Sequence, residues 1–82
     1  MNSLTQLPDL AAPFRKMKIM DRLEMKLINS QVMPGMFILN AIQQRTSSTN
    51  EILRTIKEMA EDNLPAMQKL IGEDLLQDII SL

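Results

Sequence analysis

Asp21 and Glu24 stand three residues apart, a spacing that places both carboxylates on one side of a helix, where they could share a proton or a cation. Arg15, Lys18, Arg22 and Lys26 follow at intervals of three and four on another side, as an anion- or phosphate-tracking surface requires. Beyond these the chain has little reactive chemistry. Histidine and cysteine are both missing, which removes the usual general base, the thiol nucleophile, disulfides and the side chains that most often ligate transition metals. Two glycines, Gly35 and Gly72, cannot build a phosphate-cradling loop. The expectation is therefore a non-enzymatic chain with no catalytic residue, no cofactor and no metal. Asp21 and Glu24 are expected to pair with lysines of a neighbouring helix.

The basic face has a stated limit. Residues 1–50 carry six basic and three acidic side chains, and residues 51–82 carry three and seven, which together give the net charge of −1. A nucleic-acid binder draws its affinity from counterion release by many cations across a domain, and stacking aromatics often assist it. Here an acidic half opposes the basic one, and the only aromatics are Phe14 and Phe37. Nucleic acid is thus the secondary expectation, a small nucleic-acid-binding or regulatory helical protein using residues 15–26. A solvated face, or complementarity to the acidic half of another copy, is the primary one. Membrane-surface binding by the same helix is opposed by Asp21 and Glu24, which intrude on its apolar stripe.

Elements that could hold these residues are all helical. Ser3 and Gln6 fit a capping box before Leu7 and Leu10, so residues 1–13 read as a short docking tail with one helical turn, bracketed by Pro8 and Pro13. From Phe14 to Val32 no breaker occurs, and residues 14–32 are predicted to form one helix. Lys16, Met20, Leu23 and Leu27 form its stripe, with Met17 and Ile28 beside it, yet Ile19 falls among the basic residues and Met25 at their border. A helix packed through a single face is tidier than this. Pro34-Gly35 is predicted to make the following turn, with helices at 36–45, 50–62, 65–71 and 74–81. Ser48 and Glu51 fit a capping box, and Ile52, Leu53, Ile56, Met59 and Ala60 fall in a narrow arc. Past Gly72 the apolar set shifts from Met67, Leu70 and Ile71 to Leu75, Leu76, Ile79 and Ile80, so Gly72 is predicted to cap one helix and admit another. The fold class is all-α: four to five short helices joined by Pro/Gly turns, as a small bundle or as extended hairpins packed on partner subunits, with 14–82 as a single helical domain.

At 82 residues, a lone domain buries only about 60% of the surface its unfolded form exposes. Oligomerisation is the stabiliser left when disulfides and metals are absent. Eight methionines suit adaptable packing, whether in a core or at an interface. Met33, Met36, Phe37, Ile38 and Leu39 are expected to form one partner-binding patch, and Leu75, Leu76, Ile79 and Ile80 another, with the intramolecular core of a free-standing bundle as the alternative for both. A buried Leu82 is expected as well. The continuous apolar run Met36–Leu39 is far shorter than the roughly 20 residues that span a bilayer. No basic leader precedes an apolar run, so the expectation is a cytoplasmic protein or one exported without a cleaved leader. In length, lack of cysteine and Pro/Gly helix turns, the chain resembles in build the small helical subunits of secretion-system needles and rods and of phage tail and portal assemblies. That resemblance implies an assembly subunit, a homo-oligomer or a member of a hetero-complex.

Overall fold

The computed structural model describes residues 10–30 and 32–82, so the tail expected over residues 1–9, with its Ser3–Gln6 cap, lies outside the described residues. Five helices follow in order: α1 (Ala12–Ser30), α2 (Met33–Gln44), α3 (Thr49–Asp62), α4 (Leu64–Ile71) and α5 (Glu73–Ile80). Each one expected from the sequence is present. α4 and α5 have eight residues each, too short to persist without packing. Every helix contributes to one core, and together they form a small bundle rather than extended hairpins. α1 supplies Ile19, Leu23 and Leu27, α2 supplies Ile38, and α3 supplies Ile52, Leu53, Ile56 and Ala60. Met67, Leu70 and Ile71 of α4 meet Leu75, Leu76 and Ile79 of α5 in the same cluster. No polar side chain is buried among the described residues.

Local chemistry accounts for the helix ends. Ser48 caps α3: its Oγ accepts from the Glu51 N–H at 3.2 Å, and the Glu51 carboxylate accepts from the Ser48 N–H at 3.5 Å, which completes the reciprocal box. Asn63 closes α3 and opens α4, its side chain accepting from the Ala66 N–H at 3.2 Å. Gly72 joins α4 to α5 at φ 85° and ψ 152°, a region open essentially to glycine alone. That bend explains the phase shift in the sequence. It turns α5 so that Leu75, Leu76 and Ile79 face the core that Met67, Leu70 and Ile71 already line.

Pro34 and Gly35 do not form the turn expected of them. α2 starts at Met33, and both residues lie in its first turn, with the extended Val32 as N-cap and the Met36 N–H bonded to the Val32 carbonyl at 3.0 Å. A first-turn proline loses nothing, because the N–H it lacks has no helical partner at that position. Gly35 keeps a negative φ and serves through its missing side chain. A Cβ there would sit 3.0 Å from Leu70 Cδ1, 3.0 Å from Ser30 Oγ and 3.1 Å from Leu27 Cδ2. The backbone of α2 can therefore lie close against the side chains of Leu27 and Ser30 at the end of α1 and of Leu70 in α4.

The two glycines are expected to fail differently when given a methyl group. Gly72→Ala should lose about 1–3 kcal/mol through backbone strain. Gly35→Ala should lose about 1 kcal/mol, its overpacking against Leu27 and Leu70 partly offset by better helix propensity. Urea unfolding followed by circular dichroism measures both, and a Gly35→Ala chain more stable than the parent would contradict the close approach.

Candidate protein-docking surface

α1 has two apolar faces. Its core face carries Ile19, Leu23 and Leu27. At 100° per residue, Phe14, Met17, Met25 and Ile28 lie on the side about 180° away, and all four are exposed. They stand seven and four residues before and after Asp21, which occupies the middle of the stripe. Phe14 to Ile28 spans about 21 Å of helix at 1.5 Å per residue. Where the stripe ends the chain reaches Val32, Met33, Met36 and Phe37, which are exposed too, Phe37 at 71%. In the same stretch Ile38 is buried and Leu39 packs partly on the core. Methionine placement separates the two roles that composition left open: Met67 is in the core, whereas Met17, Met25, Met33 and Met36 face outward.

The expected patches thus divide. Met33, Met36 and Phe37 remain available on the surface; Ile38 does not, and Leu39 only in part. Of the second patch, Leu75, Leu76 and Ile79 are in the chain's own core and only Ile80 is exposed. That patch is corrected, because the Gly72 bend turns α5 inward. Leu82 is also exposed rather than buried. Phe14, Met17, Met25 and Ile28 were not selected from the sequence as a patch. Their signal was there, in the apolar positions spaced evenly about Asp21 and in the crowding of apolar residues around the whole of α1.

The basic face meets acid within the same chain. Arg22 Nη1 donates to Asp78 Oδ2 of α5 at 2.6 Å, with the two side chains 47% and 52% exposed. A pair so open to solvent contributes about 0–1 kcal/mol. Lys26 lies at the Gly72 bend, in a recess shared with Glu73 and Asp74. Arg15 and Lys18 border Asp78, Ser81 and Leu82. At Arg22 the acidic partner belongs to the same molecule.

Asp21 and Glu24 have no ion pair among the described residues, contrary to the lysine partners expected for them. They line a groove between α1 and the α2–α3 loop that also holds Arg45. The groove continues towards Pro13 as an open recess of about 520 Å³, where Lys16 Nζ donates to Asn50 Oδ1 at 3.0 Å. Among the described residues no group of three or more acidic side chains is placed to hold a metal ion. No described helix is long and apolar enough to cross a membrane. Comparison with protein-family models, with curated proteins and with solved structures finds no match for the chain. Fold and surface together define an all-α protein, with five helices among the described residues and an exposed, methionine-rich face.

Occupation of Arg22 by Asp78 bears directly on anion binding. Titration of a labelled DNA duplex at about 50 mM and 200 mM salt is expected to show no saturable binding. Binding at the lower concentration that collapses at the higher one would assign the Arg15–Lys26 face to nucleic acid.

Proposed function

We propose that the chain is a non-enzymatic helical subunit, a structural component or adaptor that docks on protein through the outer face of α1 and the adjoining start of α2. One observation carries the reading: Phe14, Met17, Met25, Ile28, Val32, Met33, Met36 and Phe37 remain exposed although the helices already share a closed core. Single exposed apolar residues need no explanation, whereas a set recurring along one helix side, with more at the start of the next helix, marks an interaction surface. Flexible, polarizable methionine side chains adapt to the shape of a docked helix. Phe14 and Phe37 stand at its two ends, and aromatic side chains, like methionine, are enriched at protein interfaces.

Complementarity between the basic face of one copy and the acidic half of another has less support, since Asp78 already holds Arg22. Apolar docking remains, with the partner either another copy or a different chain. Photo-crosslinking in living cells separates the faces. Benzoylphenylalanine placed at Phe14 or Phe37 is expected to yield discrete protein adducts, and at Arg54, on the exposed polar side of α3, none. Phe37→Asp should remove the adducts formed from position 14 while leaving the helical circular dichroism unchanged. Equal labelling from all three positions would defeat the proposal.

A further inference from the structure

Asp21 sits at the centre of the exposed α1 stripe, with apolar side chains four and seven residues away in both directions. No hydrogen bond or ion pair holds its carboxylate among the described residues. Lys18 and Glu24, one turn before and after it, point about 60° to opposite flanks of the stripe at 100° per residue, and Arg22 is turned further away towards Asp78 on α5. Any helix laid along Phe14, Met17, Met25 and Ile28 removes water from this carboxylate. A desolvated charge is costly unless an opposite charge or hydrogen-bond donors meet it. Resting on the reading of this face as a protein-docking surface, we infer that its occupant is an amphipathic helix of a different chain, carrying a lysine or arginine in the middle of its apolar stripe opposite Asp21.

Charge favours that occupant over the alternatives. Two copies of α1 packed in register, parallel or antiparallel about residue 21, place Asp21 against Asp21, and like charges facing across a dry seam oppose association. The antiparallel arrangement also brings the Lys18 and Arg22 flanks of both copies together. An anionic membrane surface attracts those cations but repels the carboxylate between them. A basic amphipathic helix satisfies Asp21 and has Glu24 beside it, while its apolar residues fill the gaps between methionines.

The test uses the full chain and three fluorescein-labelled helical peptides of equal length. Each has one leucine stripe and differs only at its central stripe position, which holds Arg, Leu or Glu. The Arg peptide is expected to bind at least about tenfold tighter than the Glu peptide. Asp21→Asn should reduce that preference and Asp21→Lys should reverse it, with circular dichroism confirming that both variants fold. Equal binding of all three peptides would overturn the inference and leave the docking face standing. Binding of none would overturn both. Self-association of the unmodified chain that Phe14→Asp abolishes would assign the face to a second copy. Binding to phosphatidylcholine–phosphatidylserine vesicles in preference to the Arg peptide would assign it to a membrane.

Discussion

Packing of the α1 core face against α4 and α5 is the interaction on which the rest of the fold depends. Leu23 and Leu27 are at most 1% exposed, and so are Ile71, Leu76 and Ile79 in the cluster they share. α4 and α5 are eight residues each, and isolated helices of that length do not persist in water. They are helical because Gly72 lets both turn their apolar sides to the same long helix. α2 joins through Gly35, whose lack of a side chain admits Leu70 and Leu27 to its backbone. The chain has no disulfide with which to reinforce this arrangement. Each methylene in the core therefore weighs more than it does in a larger domain.

α1 is long enough to do two things at once. Its inner side closes the core, and its outer side repeats an apolar stripe for about 21 Å that no described helix covers. That stripe is what made the helix look untidy as a sequence. Apolar positions intruding on every side are what two separate faces produce when read as one. The polar residues between the faces have separate uses: Arg22 holds α5 through Asp78, Lys16 bonds Asn50 at the start of α3, and Asp21 is left in the open stripe.

Features set by neighbours in sequence were legible beforehand. The Ser48–Glu51 box, the Asn63–Pro65 junction and the Gly72 break depend on residues within one turn, and each stands where its residues indicate. Pro34-Gly35 misled because the same dipeptide fits a turn or a helix N-terminus, and the choice rests on Leu70, 35 positions further along the chain from Gly35. The Leu75–Ile80 patch misled for a related reason. Periodicity identifies an apolar face but not what covers it, and only the direction of the Gly72 bend turns α5 towards α1. Carboxylate pairing failed likewise, since which cations lie across from Asp21 and Glu24 is a property of the assembled bundle.

The independence of the two α1 faces is what the whole account requires, and urea unfolding of the purified chain measures it directly. Leu23→Ala, on the inner face, is expected to cost about 2–5 kcal/mol. Replacing Phe14, Met17, Met25 and Ile28 together by glutamine is expected to leave the unfolding free energy within about 1 kcal/mol of the parent, as for surface sites outside a core. A loss from the quadruple variant comparable to that of Leu23→Ala would show that the outer stripe belongs to the chain's own interior, and no docking surface would remain.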